Sequence, residues 1–345
     1  MDLRLERPYG VSMDVRAMAK VVRAGDIRTR LRALRDGQAA VRLAMTAAAV
    51  DLGVLDLLEQ PTAVDDLAKR LDVVDLELFR AFVATLVTGG LVRDDHGVLS
   101  LTRRGRLVGT DPVVRATYAA FGDFHTGVYR DLGEQLRGGP PRNDVTRRAR
   151  EIADLSQFTQ PFVESLLRKE IAAAAPRSVV DVGCGAGMLL AAMLAAAPDA
   201  FGTGIELDTA AAELAVRNLA AAGLAGRSEV LVGDARDHLT RRTGFDVALL
   251  ANLVYYLPVD ERALLLRRVR DGLSPGGRVI VVTTVLEDNS FSRHFDLLLR
   301  AQRGSMQLPA VDELARQIRE AGFGQPRVRR VSPGEPLMAF VATAT

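Results

Sequence analysis

Residues 178–188, Ser-Val-Val-Asp-Val-Gly-Cys-Gly-Ala-Gly-Met, constrain the fold more than any other stretch of the chain. Val179, Val180 and Val182 read as a short buried strand. Gly183, Gly185 and Gly187 follow at alternate positions. The Ala- and Leu-rich run from Leu189 to Ala197 then has helical composition. A strand, a glycine turn and a helix N-terminus make a place where a ligand can approach the backbone closely, because no Cβ stands in the way.

The spacing narrows the ligand. Glu206 closes a second apolar run about twenty residues on, where nucleotide-binding α/β sheets carry an acid that hydrogen-bonds a ribose. A dinucleotide fingerprint, G-x-G-x-x-G/A, needs a small residue at its third place. That place falls on Met188 counting from Gly183 and on Leu190 counting from Gly185, and both are too large. A P-loop is excluded because no Gly-Lys-Ser/Thr follows. The three glycines alone would also suit a tight turn in some other α/β domain; the motifs further along argue against that.

What remains, D-x-G-x-G-x-G with an acid after the next strand, resembles the class I S-adenosylmethionine-dependent methyltransferases. The resemblance implies that the turn from Asp181 through Gly183, Gly185 and Gly187 accommodates the amino-acid part of the cofactor, which carries no phosphate. It implies that Glu206, with Leu207 beside it, holds the ribose. S-adenosylhomocysteine would be the product.

Composition sets outer limits. Apolar residues make up 48% of the chain, which supports a sizeable core and argues against disorder. A formal net charge of +2 is too even to imply nucleic acid by itself. Cys184 is the only cysteine, so no internal disulfide and no cysteine-based metal site is expected. There is no signal-peptide pattern and no apolar run long enough to span a bilayer, so a soluble cytoplasmic protein is expected.

Residues 1 to about 12 read as a loose arm. A charged helical pattern runs from Met13 to Leu34, and a second helix fits Ala39 to Leu52. The second is almost uniformly apolar, which predicts burial on all sides, in the core or at a subunit interface. Helices over 62–71 and 76–87 precede a stretch, 91–102, that alternates about an Asp-Asp-His-Gly turn, a hairpin signal. Helix, helix, hairpin is a winged helix-turn-helix, so a DNA-binding regulator has to be weighed. The helix that would enter a groove offers Leu76, Leu78, Phe79, Phe82 and Val83 with one Arg80, a packing surface rather than a reading one. The phrases Asp51-Leu-Gly-Val-Leu-Asp-Leu-Leu and Thr102-Arg-Arg-Gly-Arg-Leu narrow the resemblance to the small-molecule O-methyltransferases with an N-terminal dimerisation domain. That likeness implies a homodimer in which each copy lends residues to the other's substrate pocket.

The implied organisation is a mostly helical winged-helix dimerisation domain over 1–110, a helical connector roofing the substrate over 111–170, and an α/β cofactor-binding domain over 171–345. The last is expected to be a Rossmann-like sheet of seven strands, the last antiparallel, with cofactor and substrate at the carboxyl ends. Strands are predicted at 201–205, 228–232, 245–251 and 278–283, with a closing hairpin from 328–331 and 337–342. The connector holds Tyr118, Phe121, Phe124, His125, Tyr129 and Arg130 in a chain with only 5% aromatics. Its aromatics suit a core helix, or, by the resemblance, a substrate roof of Phe124 and Arg130; His125 and Arg130 need polar partners in either case. Phe158 or Phe162 is expected to cap the cofactor. By the same resemblance Asp234, with the Ala235 N–H nearby, contacts the adenine amino group, and Asn252 lies just past the strand 245–251.

Methyl transfer from a sulfonium is an in-line displacement. The protein holds the nucleophile about 3 to 3.5 Å from the methyl carbon, and a hydroxyl nucleophile also calls for a base. The phenolic members of the family place that base, a histidine, just after the fourth strand of the sheet. Here that stretch is Val254-Tyr-Tyr-Leu-Pro, so Tyr255 stands in its place, and a tyrosine with its usual pKa near 10 is a poor base. Three explanations compete: a nucleophile that needs no strong base; a base from another direction, His125 or His294; or Tyr255 orienting the substrate by hydrogen bond. Tyr256 and Asp296 are further candidate substrate contacts. His238 and His294 could pair on a metal, but Asp-His near a strand end usually marks a surface turn, so no metal is expected. Two other classes stay open: a relative that binds the cofactor without methylating, and a winged-helix regulator.

Overall fold

The computed structural model describes residues 15–23 and 25–345. The arm over 1–12 and the start of the first predicted helix at Met13 lie outside them. The chain divides into two compact units, with the boundary between Asp123 and Phe124.

In the first unit the break between the two N-terminal helices falls earlier than expected. Helices run over Val15–Arg23 and Ile27–Asp51. Asp26 caps the second, its carboxylate accepting from the Arg28 N–H at 3.0 Å and from the Thr29 hydroxyl at 2.7 Å. Gly37 is absorbed into the helix, since a lone interior glycine costs only about 1 kcal/mol. The predicted all-round burial of 39–52 holds only for its end: Thr46, Ala47, Ala49 and Val50 are buried, whereas Val41 is 68% exposed. Three strands follow: β1 (Thr62–Ala63), β2 (Val92–Asp95) and β3 (Val98–Leu101), ordered β1-β3-β2. Helices over Val64–Arg70 and Leu76–Thr88 precede the β2–β3 hairpin. Its two-residue loop, His96-Gly97, has φ of 49° and 89°, the geometry that matches hairpin twist. Phe79, Val83 and Leu86 of the helix before it are buried, and its Arg80 pairs with Asp65 and Glu77.

The second unit is built on β4 (Ser178–Val182), β5 (Phe201–Glu206), β6 (Ser228–Val232), β7 (Phe245–Ala251), β8 (Leu273–Thr284), β9 (Arg327–Arg330) and β10 (Leu337–Thr343). They form one sheet in the order β6-β5-β4-β7-β8-β10-β9. β4 to β8 are parallel, and β10 inserts antiparallel between β8 and β9. Phe245 pairs with Leu273 and Val247 with Arg278, so the Ser-Pro-Gly-Gly run between Leu273 and Arg278 bulges out of the ladder. Buried side chains pack on both faces of the sheet: Val180, Val182, Leu250 and Phe340 on one, Val179, Leu249, Ile280 and Val341 on the other. Continuous apolar strands of this kind are what a doubly covered parallel sheet requires. The strand order reverses between β4 and β7, which places the crevice beyond their carboxyl ends, at Gly183 and Asn252. Among the described residues no helix is long and apolar enough to cross a membrane.

Candidate active site

The turn after β4 uses its three glycines in two ways beyond their shared backbone geometry. All have positive φ: 74° at Gly183, 52° at Gly185 and 76° at Gly187. A Cβ on Gly183 would stand 3.1 Å from the Leu253 side chain, and one on Gly187 would stand 3.0 Å from the Ala215 Cβ. Gly185 has nothing within 4 Å of that position, so the middle of the turn faces open space. The turn is fastened from behind: the N–H groups of Gly183 and Cys184 donate to the Ile205 carbonyl at 2.8 and 3.1 Å. Asn218 donates to the Ala186 carbonyl at 2.9 Å. Cys184 is buried behind it, and Gly204 of β5 gives its sulfur room; a Cβ there would come within 2.7 Å.

Glu206, at the end of β5, accepts from the Gly185 N–H at 2.8 Å with one oxygen and from the Asp208 N–H at 3.0 Å with the other. A carboxylate has about four lone-pair sites, so these two bonds orient it and leave acceptor capacity. Asp181, at the end of β4, is buried. Burial, and then the charge of Glu206, push its carboxyl up to about 7. Asp234, after β6, caps the helix Ala235–Arg241 and is gripped by the Arg236 guanidinium, with Nη2 to its oxygen at 2.6 Å. Arg236 in turn donates to Glu261 at 2.6 Å. The Arg236 hydrogen bond holds the Asp234 carboxyl below the usual carboxylate range. Leu207 is exposed and Ala235 half-buried beside these acids, and Asn252 sits at φ 51°, rare for a side chain outside glycine. Phe158 is 62% exposed, in the turn before the helix Gln160–Ala174.

This set fits the cofactor that the sequence implies. The bare turn leaves room for a methionyl chain, and Glu206 presents an oriented anion to a diol. Asp234 presents a second anion one strand further along the sheet.

Tyr255 and Tyr256 lie in the turn after β7, their ring centroids 4.6 Å apart and edge-on. Tyr255 packs against Phe295 at 5.4 Å and is buried with Leu299 and Leu308. Burial pushes both phenols above their ordinary value, which takes them further from acting as bases. Asp296 is buried with both oxygens engaged, one accepting from the Leu308 N–H at 3.0 Å and the other from Arg300 at 2.7 Å. It locks the segment after the helix Ser290–Arg300. Arg262 acts in the same way. Fully buried, it donates to the carbonyls of Leu257 and Gln307 and so ties the Tyr255 turn to that segment.

The two candidate histidines meet. His125 Nδ1 and His294 Nε2 are 2.7 Å apart, and His294 Nδ1 lies 2.9 Å from the Tyr129 hydroxyl. Phe124 packs edge-on against His125 at 4.8 Å, whereas Arg130 is exposed. Burial, with the charge of His294 second, lowers His125 to about 3, and burial also lowers His294. His238 stands apart, its Nε2 3.0 Å from the Val232 carbonyl, so it does not pair with His294. Among the described residues no group of three or more His, Cys, Asp or Glu is placed to hold a metal. Tyr129, Arg236 and Arg262 do not stand out as site residues in the sequence. Tyr129 has a signal, its spacing of four from His125 on a helical segment; the two arginines have none.

A family model described as a methyltransferase domain matches residues 179–277. The 2,7-dihydroxy-5-methyl-1-naphthoate 7-O-methyltransferase of Streptomyces carzinostaticus is 30% identical over 83% of this chain and 91% of that protein. The mitomycin biosynthesis 6-O-methyltransferase of Streptomyces lavendulae is 29% identical over 83% of this chain and 85% of its own. The solved structure of the mitomycin 7-O-methyltransferase MmcR aligns with a TM-score of 0.74 at 24% identity, covering 94% of this chain and all of that one. The glycine turn, its paired acids and these likenesses agree: the chain belongs to the class I S-adenosylmethionine-dependent methyltransferases of the small-molecule O-methyltransferase type.

Proposed function

We propose that the acceptor is a hydroxyl on an aromatic small molecule of the kind that the Streptomyces relatives' names describe. The acceptor class is supported by the names of those relatives; the observation that carries the cofactor site is the join between the turn and Glu206, an open backbone position, Gly185, tied by its own N–H to the acid. In this reading Glu206 and Leu207 hold the ribose, Asp234 and the Ala235 N–H the adenine, and Asp181 with Gly183, Gly185 and Gly187 the methionyl part, with Asn252 beside it and Phe158 over it. When bound, S-adenosylmethionine supplies an activated methyl group on a cationic sulfur. The chain's contribution is to align the acceptor oxygen, keep water out and dispose of a proton. Tyr255, Tyr256 and Phe295 offer an aromatic wall, with Phe124 and Arg130 on the connector, residues 111–170.

We further propose a homodimer formed through residues 1–110. It is supported by the long helix Ile27–Asp51, on which Leu34 and Val41 are 63% and 68% exposed.

Calorimetry of S-adenosylhomocysteine binding, with Glu206→Ala as control, tests the site. A charge-assisted hydrogen bond is worth about 1.5 to 3 kcal/mol, so the variant should bind at least about tenfold more weakly. Incubation of the enzyme and S-adenosylmethionine with 2,7-dihydroxy-5-methyl-1-naphthoate should release S-adenosylhomocysteine. Cofactor binding without that release from any hydroxylated aromatic would favour a relative that does not methylate.

A further inference from the structure

We propose that His125, His294 and Tyr129 form a proton relay that carries the acceptor's hydroxyl proton out of the site. The proposal rests on the methyl-transfer reading and names how the same site manages without a histidine after β7.

The geometry is a chain of two hydrogen bonds that runs from inside to outside. His125 is buried, His294 is half-buried and Tyr129 is 52% exposed. His294, on the helix Ser290–Arg300, reaches both other members, with His125 at 2.7 Å and Tyr129 at 2.9 Å. Its ring stacks on Tyr129 at 5.5 Å and lies 5.0 Å from His125. The next residue on that helix, Phe295, packs on Tyr255 in the turn after β7. The middle member of the chain, His294, is therefore one helix residue from the wall assigned to the acceptor.

Each contact holds one proton, so the two bonds must point the same way along the chain. In the outward state His125 Nδ1–H donates to His294 Nε2, and His294 Nδ1–H donates to the Tyr129 oxygen. As the acceptor oxygen forms its bond to the methyl carbon and the sulfur leaves as a thioether, the O–H proton passes to His125 Nε2. His125 gives its Nδ1 proton to His294, His294 gives its Nδ1 proton to Tyr129, and Tyr129 releases its own to water. The result is the inward state, with every ring neutral and one proton delivered to solvent. Reversal against bulk water after product leaves restores the first state. A relay of this kind never stores a cation, which matches two imidazoles whose charged forms are disfavoured by burial, that of His125 also by the charge of His294.

The test uses protein labelled with ¹⁵N in the histidine rings, with His125→Asn and His294→Asn assigning the signals. The expected result is that both rings stay neutral from pH 7.5 to 5.5, with tautomers that share one proton, and that Tyr129→Phe shifts the tautomer balance of both. A ring that titrates near the ordinary value of 6.5, or a Tyr129→Phe spectrum with both rings unchanged, overturns the relay. On 2,7-dihydroxy-5-methyl-1-naphthoate, His125→Asn and His294→Asn should lower kcat at pH 7 by about 100-fold, within the range for general acid–base help, with S-adenosylhomocysteine affinity unchanged. Full kcat in either variant also overturns it. Loss of cofactor binding by the wild type would strike the methyl-transfer reading instead, and the ring spectra do not depend on that.

Discussion

The backbone N–H of Gly185 donates to the Glu206 carboxylate at 2.8 Å, so the emptiest point of the glycine turn is fastened to the acid that closes the next strand. One bond thus sets the position of two groups proposed to hold the cofactor, Gly185 at the methionyl part and Glu206 at the ribose. It also separates binding from folding at neighbouring glycines. Gly185→Ala adds a methyl group into open space at φ 52° and should lose at least about tenfold in S-adenosylhomocysteine affinity, with a stability cost of about 1 to 2 kcal/mol from the left-handed backbone. Gly187→Ala pushes the new methyl to 3.0 Å from the Ala215 Cβ and should lose more stability than Gly185→Ala. Calorimetry and thermal melting of the two variants check the contrast.

Asp181 carries a folded-state carboxyl pushed up to about 7 by burial and by Glu206. The unfolded chain releases that proton near the ordinary aspartate value, about 3.9. Between those two pH values the folded state binds more protons than the unfolded one, so this group's contribution to stability falls as pH rises. Asp181→Asn removes the titration. In urea unfolding of the cofactor-free protein, the wild type should lose more stability than Asp181→Asn on going from pH 5 to pH 7. Equal losses would show that the carboxyl titrates normally.

The exposed apolar positions of the long N-terminal helix give the dimer proposal a direct check. Leu34→Glu combined with Val41→Glu places two charges on that surface. Sedimentation should show the wild type as a dimer and the double variant as a folded monomer with unchanged circular dichroism. Two species of the same mass would remove this helix from the interface.

Arg262 is buried with its Nη1 lacking any hydrogen-bond partner among the described residues, while Nε and Nη2 hold the Leu257 and Gln307 carbonyls. Its guanidinium pKa is lowered by that burial. Arg262→Ala leaves two carbonyls orphaned and a hole in the core, and should cost about 3 to 5 kcal/mol by denaturant titration. Arg262→Lys should rescue little, because a single ammonium cannot span two carbonyls as a planar fork does.

The turn at 183–187, the acid at 206 and the sheet that carries them are legible in the sequence because each depends on local rules. Positive φ selects glycine, buried parallel strands select unbroken apolar runs, and a two-residue hairpin selects His96-Gly97. The N-terminal helices depart from the sequence reading at their break and in their burial, since capping at Asp26 and exposure of Val41 follow from what surrounds them rather than from periodicity.

The chain's local chemistry thus determined its class, its sheet and the bare turn beside Glu206, because backbone conformation and strand periodicity are written in neighbouring residues. Which polar groups face one another was decided only in three dimensions. His125 and His294 stand 169 positions apart, and Glu170 gathers Arg278, Arg327 and Arg329 from beyond 100 positions away. Nothing in a sequence window records such meetings. They follow from the order in which strands and helices pack, and from the demand that every buried charge or ring nitrogen find a partner.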